Sequence, residues 1–158
     1  MVSFDIGVKR LDRLHLVAAS EDVAGIDGVE AALGRMYPRL HAALATRGVV
    51  PSGPSYAIYD ELEGESGERV TAALPVPDDV SITGDGVTTI DLPVVECAAA
   101  VVVHGAPETV YPDGFAALDQ WAATAGETVA SQKREVYLDC DGPRDTWVTE
   151  LQAVLVSD

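Results

Sequence analysis

The stretch LHAALATRGVVPSGPSYAIY, residues Leu40–Tyr59, has a counterpart in LDQWAATAGETVASQKREVYL, residues Leu118–Leu138. The two segments align without a gap, so that Tyr59 matches Tyr137 and one glycine follows the helical part of each. Each segment reads as the end of a helix, a glycine that stops it, a loop and a strand. This repeat predicts that the chain contains a duplicated structural unit.

The sequence around the repeat extends this plan to most of the chain. Apolar residues recur at helical spacing over 26–44 and 113–125. Pro38 is expected to kink the first helix or split off its first turns, and Pro112 to lie near the start of the second. Alternating or continuous apolar runs predict strands at Val2–Val8, Leu14–Ala19, Ser55–Tyr59, Arg69–Val76, Val87–Leu92, Glu96–Val103, Arg134–Asp139 and Trp147–Val156.

These elements predict an α+β fold built from tandem duplicated strand–helix–strand–strand modules with pseudo-two-fold symmetry. Each half supplies antiparallel strands and one long helix, and a duplicated unit of this kind makes a central cleft where small molecules bind. Neither half alone is expected to bury enough surface, so residues 1–158 are predicted to be a single domain. Its halves lie at about 1–76 and 87–158, and a linker rich in Pro, Asp and Gly spans 77–86.

Charge is the strongest signal in the composition. The chain has 26 acidic and 10 basic residues, which gives a formal net charge of −16. A surface this acidic repels phosphate backbones, so direct binding to nucleic acid is not expected. Few lysines beside many acidic residues are typical of proteins from salt-accumulating microbes, in which salt screens the self-repulsion. We therefore predict an acidic, halophilic protein.

Cofactors and membranes are not expected partners. No apolar run is long enough to span a membrane, and the N-terminal residues lack the layout of a signal peptide, so a cytoplasmic location is the expectation. Cys97 and Cys140 have no CxxC spacing, and the three histidines have no metal-ligand spacing. No glycine-rich phosphate loop follows a strand.

Two stretches of the second half carry a family resemblance. LPVVECAAAVVVHGAPETVYPDGFAALDQW, residues 92–121, is similar to the opening of the repeat in GyrI-like domains. REVYLDCDGPRDTWVTELQAVLV, residues 134–156, is similar to its closing hairpin. The first half matches more loosely, because its VAASEDVAGIDG segment lacks the His-x-Gly-Pro-Tyr-like turn of many relatives.

GyrI-like domains are the effector-binding domains of AraC- and MerR-type multidrug regulators, and they also occur alone in gyrase-inhibitory proteins. The resemblance implies a hydrophobic, aromatic-lined cleft that binds bulky, planar, often cationic molecules. It implies a stand-alone binding protein for sensing or sequestration, in which a gene-regulatory role needs a partner protein. Two alternatives stay open. One is a hydrolase that opens strained cyclopropane rings of genotoxic compounds, and the other is a module that interacts with gyrase or a regulator.

Glu135 is the main candidate for the site. The resemblance places the acidic cleft residue of the family at this position, and a carboxylate among aromatic rings attracts a cation strongly because little screens it. Tyr137 and Tyr59 occupy equivalent strand positions, where their rings can stack on a ligand and their hydroxyls can orient it. The repeat equivalent of Glu135 is Ala57, so only one half carries the acid. The alternative is that Glu135 lies on a wet sheet face.

Five further aromatic residues are candidate ligand contacts, each with ordinary core packing as the alternative. They are Trp121, Trp147, Tyr111, Phe115 and Tyr37. In the hydrolase alternative, Glu135 is the catalytic base that activates water, and Tyr137 orients the water or donates a proton.

Overall fold

The computed structural model describes residues 4–25, 27–62 and 67–156, which form nine strands and two α-helices. Positions 2 and 26, the predicted first residues of the first strand and the first helix, lie outside the described residues. The elements are β1 (Gly7–Leu11), β2 (Leu14–Val23), α1 (Asp27–Thr46), β3 (Ser55–Glu61), β4 (Glu68–Pro75), β5 (Thr83–Gly84), β6 (Val87–Leu92), β7 (Val95–His104), α2 (Pro107–Ala125), β8 (Val129–Asp139) and β9 (Val148–Leu155). A 3₁₀ turn at Arg144–Thr146 precedes β9.

Two compact units make up the chain. Residues 13–93 form the α1 unit, and the residues up to 12 combine with those from 94 onward to form the α2 unit. In the α2 unit, the strands are antiparallel in the order β1-β7-β9-β8. In the α1 unit, they are antiparallel in the order β3-β4-β2-β6-β5. The predicted α+β class, with antiparallel strands and one long helix per repeat, is confirmed.

The two units follow one plan, but each takes its outer strand from beyond the expected boundary. The order β1-β7-β9-β8 repeats as β6-β2-β4-β3, with the helix between the second and fourth members of each set. β1 precedes β2 in the chain yet pairs with β7, whereas β6 precedes β7 yet pairs with β2. The units therefore differ from the predicted halves at about 1–76 and 87–158. The predicted linker, 77–86, lies within the α1 unit and contains β5.

Each helix packs on one face of its own sheet. Leu118 and Ala122 of α2 pack against Leu151 and Ala153 of β9 and against the inward row of β7. In the α1 unit, the corresponding cluster includes Met36, Leu40 and Leu44 from the helix and Val17, Val70, Ala72 and Leu74 from the strands. Burial of each large aliphatic side chain contributes about 1.5–3 kcal/mol, so these faces fix where each helix lies.

The helix boundaries correct two expectations about proline. α1 runs without a break through Pro38, so the predicted splitting of its first turns does not occur. α2 begins at Pro107, six residues before position 113, and Pro112 lies inside it rather than near its start. Pro107 occupies the first turn, where the missing N–H has no intrahelical partner to lose.

Two glycines end the helices as the repeat predicts. Gly48 and Gly126 have φ of 65° and 76°, the left-handed conformation that stops a helix. Neither α-helix is long and apolar enough, over the residues described, to cross a membrane.

Candidate functional site

Glu135 lies in the middle of β8, on the sheet face that α2 covers. Its register partner on β9 is Leu151, which belongs to the core cluster under α2. Because side chains alternate along a strand, Tyr137 lies on the same face and Val136 on the opposite one. Glu135 is only 4% exposed, so it is not on a wet sheet face.

Tyr137 stabilises this buried carboxylate. Its hydroxyl donates a hydrogen bond of 2.7 Å to Oε1 of Glu135. A carboxylate removed from water is costly unless donors replace the lost water contacts, and hydrogen bonds to ionised acceptors are the strong ones. The structure therefore brings together the two residues that were predicted to have the central roles.

Tyr111 and Thr149 form a second hydrogen-bonded pair beside the first. Thr149 is fully buried and lies opposite Tyr137 in the β8–β9 register, and its hydroxyl is 2.6 Å from the hydroxyl of Tyr111 on α2. Burial raises the pKa of Tyr111, and the negative charge of Glu135 acts in the same direction, while the bond to Thr149 opposes them. The Tyr111 phenol therefore stays neutral near pH 7 and can serve as a polar contact.

The aromatic ring of Trp147 lies next to Tyr137. The two rings meet edge to face, with centroids 6.4 Å apart and planes at 66°. The indole Nε1 donates to the carbonyl of Gly142 at 3.0 Å, which fixes the ring on the β8–β9 turn. The guanidinium of Arg144 lies 5.0 Å from the centroid of the Trp147 ring and is paired with Glu108 at the start of α2.

Cys140 borders this group but has the character of an inert thiol. Its Sγ lies 3.7 Å from the carbonyl oxygen of Val148 and 4.0 Å from Oγ1 of Thr149. Burial raises the pKa of Cys140, so the thiol stays protonated near neutral pH and is a weak nucleophile.

Phe115 and Trp121 contribute to the core of the α2 unit. Both are partly buried against the cluster around Leu118. The ammonium of Lys133 lies 5.6 Å from the Phe115 ring centroid. Trp121 lies ten residues beyond Tyr111, which is about 15 Å along a helix axis. The packing of Trp121 against the core cluster fits the alternative that this residue is an ordinary core residue.

The α1 unit holds the other two candidates, Tyr59 and Tyr37. Tyr59 lies opposite Val70 and packs against the cluster under α1, so it occupies the helix-covered face of its own sheet, as Tyr137 does in the α2 unit. Tyr37 packs against the same cluster, and its hydroxyl donates to the carbonyl of Tyr56. Ala57, the repeat equivalent of Glu135, is fully buried.

Glu150, the acidic residue of β9, lies on the opposite sheet face. Its register partner is Val136, and it accepts bonds from Lys9 at 3.2 Å and from Gln152 at 2.7 Å. Glu135 and Glu150 therefore do not share one site.

The arrangement around Glu135 combines a buried carboxylate with aromatic rings and hydroxyl groups. Sequence reasoning missed Thr149, Cys140 and Arg144, because a threonine in a strand and an arginine in a turn are ordinary at such positions. Over the described part of the chain, no group of three or more His, Cys, Asp and Glu residues could hold a metal ion.

Comparison with known proteins gives similarity in structure without detectable similarity in sequence family. No protein-family model and no curated protein matches the sequence. Among solved structures, the EcmrR C-terminal domain superposes with a TM-score of 0.80 at 16% identity, over 99% of this chain and 100% of that one. In the EcmrR–DNA complex, the match covers 57% of the EcmrR chain, so this chain spans little more than half of that protein.

Two other similar structures have different descriptions. A hydrolase encoded by lin2189 from Listeria innocua matches with a TM-score of 0.66 at 10% identity, over 96% of this chain and 91% of that one. SAV2435, solved with bound tetraphenylphosphonium, matches with a TM-score of 0.63 at 12% identity, over 96% and 94% of the two chains. The fold of this protein is therefore that of a GyrI-like domain, as the resemblance in its second half implies.

Proposed function

We propose that this protein binds hydrophobic, planar, cationic small molecules for sensing or sequestration, with Glu135 as the anionic anchor. The observation that carries the proposal is a carboxylate only 4% exposed that is held by the Tyr137 hydroxyl at 2.7 Å. A ligand cation near this carboxylate would meet a charge that water screens poorly.

The energetics favour a ligand that is both cationic and aromatic. An ion pair at 4 Å is worth about 1 kcal/mol in water but about 4 kcal/mol at an effective dielectric constant of about 20. The rings of Tyr137 and Trp147 add stacking and cation–π contact, and the hydroxyls of Tyr111 and Thr149 give neutral polar contacts. Tyr59, at the equivalent strand position of the α1 unit, stays a predicted ligand contact.

A structural relative supports the cationic and aromatic character of this ligand class, although not its planarity. SAV2435 was solved with tetraphenylphosphonium, a phosphorus cation that carries four aromatic rings. At 12% identity, that protein supports the choice of probe only. In a sensing role, the ligand signal would pass to a partner such as a regulator.

Titration with tetraphenylphosphonium by calorimetry tests the proposal. We expect the wild type to bind and Glu135→Gln to bind at least about tenfold more weakly, because the substitution removes the buried charge and keeps the shape. Glu150→Gln is the matched control, since it removes a charge of the same kind from the opposite face of the neighbouring strand. Its affinity should stay within about twofold of the wild type.

Equal affinity in Glu135→Gln and the wild type would contradict the anchor. The hydrolase alternative predicts a different result, namely ring opening of a strained cyclopropane substrate that is lost in Glu135→Gln. If the protein is instead a module that acts on gyrase or a regulator, it should neither bind tetraphenylphosphonium nor convert the cyclopropane substrate. It should bind the purified partner protein.

A further inference from the structure

We propose that Arg144 is an internal competitor that occupies the Trp147 ring and sets the affinity of the site for cationic ligands. The inference rests on the proposed function and adds a specificity-determining residue to it. Its basis is the guanidinium that lies 5.0 Å from the centroid of the indole ring.

The Trp147 ring is held in place by contacts that do not depend on the Arg144 side chain. Its Nε1 donates to the carbonyl of Gly142 at 3.0 Å, and its backbone N–H donates to the carbonyl of residue 144 at 3.3 Å. Tyr137 meets the ring edge to face. The indole therefore offers a preformed surface for a cation, and indole is the best aromatic surface for this contact.

The surface adjoins the anionic anchor. Tyr137 contacts the Trp147 ring and donates its hydroxyl to Glu135, so one tyrosine connects the indole to the carboxylate. A ligand with an aromatic body and a positive charge can contact both, provided that Arg144 leaves the indole.

Arg144 is paired at the surface, where an ion pair costs little to break. Its side chain is 46% exposed, and its ion pair with Glu108 at 2.9 Å joins two side chains in contact with solvent. An exposed ion pair of this kind is weak and screened by salt. Only molecules in which Arg144 has left the ring can bind the ligand there. The apparent dissociation constant is therefore the intrinsic dissociation constant divided by the fraction of molecules with an uncovered Trp147 ring.

A second ring of the α2 unit has the same arrangement. Lys133 lies over Phe115 at 5.6 Å and pairs with Asp119 of α2 at 3.1 Å. In both cases, a basic side chain covers an aromatic ring while an acidic residue of α2 neutralises part of its charge. A bound cation would replace a charge that the protein already carries there.

Tetraphenylphosphonium titrations of Arg144→Gln and Arg10→Gln test the inference. Arg10 pairs with Asp12 and Glu96 and is 55% exposed, so its replacement makes the same change in net charge at a different surface. We expect Arg144→Gln to bind about two- to fivefold more tightly than the wild type, the range for loss of one exposed cation–π competitor. Arg10→Gln should stay within about twofold of the wild type.

Fluorescence of the ligand-free protein checks the contact itself. The chain has two tryptophans, so Trp121→Phe leaves Trp147 as the sole indole emitter. In that background, Arg144→Gln should change the intensity or position of the emission, whereas Arg10→Gln should not. Equal emission from all three proteins would overturn the contact.

The outcomes separate this inference from the proposed function. If the wild type binds the probe and Arg144→Gln gains nothing, the competitor role is overturned and the function stands. If only Arg144→Gln binds, the inference is supported in its strongest form. If neither protein binds, both the function and the inference fail.

Discussion

The hydroxyl of Tyr137 donates a 2.7 Å hydrogen bond to Oε1 of Glu135, and both residues belong to the same strand, two positions apart. The acceptor is a carboxylate that folding removes almost completely from water. We expect Tyr137→Phe to lower the free energy of unfolding by about 1.5–3 kcal/mol, the range for a hydrogen bond to a charged group. Urea denaturation followed by circular dichroism measures this difference.

Tyr111→Phe is the matched control for that measurement. It removes a hydroxyl from the same neighbourhood, but its partner is the neutral hydroxyl of Thr149. The loss should be smaller, about 0.5–1.5 kcal/mol. An equal or larger loss in Tyr111→Phe would argue against an ionised Glu135 as the acceptor.

Two helical glycines should respond to alanine with opposite signs. A Cβ at Gly114 of α2 would lie 2.5 Å from Cδ1 of Leu151 and 3.2 Å from Cγ1 of Val103, both in the packed core. Gly114→Ala is therefore expected to destabilise the protein by about 1–3 kcal/mol through overpacking. Thermal or urea unfolding measures the change.

Gly34→Ala in α1 is the comparison. A methyl group at position 34 would have no atom outside its own helix turn within 4 Å, and the position is exposed, so only helix propensity changes. This substitution should stabilise the protein by about 0.5–1 kcal/mol. The steric explanation would be wrong if both substitutions shifted stability in the same direction.

The elements of the fold could be predicted from the sequence, but the partner of each outer strand could not. Apolar periodicity reports which residues share a face, and this located both helices and the strands beside them. It carries no information about which distant strand provides the hydrogen bonds. The exchange of β1 and β6 between repeats depends on such long-range pairing.

The sequence predicted the strand that carries Glu135, but it did not predict that both faces of this strand are buried. Alternation along β8 implies one buried row and one wet row, yet Arg134, Glu135 and Val136 are all buried. The carboxylate therefore lies in a strand that is covered on both faces, which a single-strand pattern does not indicate. Arg144 reaches the site from a turn, so no periodicity points to it.

Salt should stabilise this protein. With a formal net charge of −16, folding concentrates carboxylates that repel one another, and salt screens this repulsion. We expect the urea midpoint to rise between 0.1 M and 2 M KCl, two conditions spanning Debye lengths from about 10 Å to below 3 Å.

A charge variant sharpens the salt experiment. Asp79 and Asp85 are both exposed, and replacing both with asparagine changes the net charge from −16 to −14, because two carboxylates are lost. The double variant should gain less stability from KCl than the wild type. The halophilic prediction would be contradicted if the wild type were fully stable in dilute buffer and KCl did not change its stability.

His15 should give the protein a pH-dependent stability in the α1 unit. Its Nε2 lies 2.7 Å from the carbonyl of Val80, and its Nδ1 lies 2.9 Å from the carboxylate of Asp91, so both ring nitrogens face acceptors. These two partners raise the pKa of His15, with the Val80 carbonyl as the larger cause, although burial of the ring opposes them. Arg13 and Asp78 are the other charges beside the pair.

The sign of the effect follows from the direction of each shift. A raised folded pKa means that the contribution of His15 is fully present below its unfolded value of about 6.5 and is lost as the pH rises through the folded pKa. The pKa of Asp91 is lowered, chiefly by the bond to His15, so its contribution is lost as the pH falls below about 4. Stability from this pair is therefore greatest between about pH 4 and 6.5.

Urea unfolding at half-unit steps from pH 5.5 to 8.5 measures the loss on the alkaline side. We expect the wild-type stability to fall across this range and the fall to disappear in His15→Gln, because glutamine carries no titrating proton. His104→Gln is the control, since His104 is exposed at the end of β7. The stabilising role of the His15 hydrogen bond to Val80 would be refuted if His15→Gln kept the wild-type pH dependence of stability. It would also be refuted if His104→Gln abolished that pH dependence.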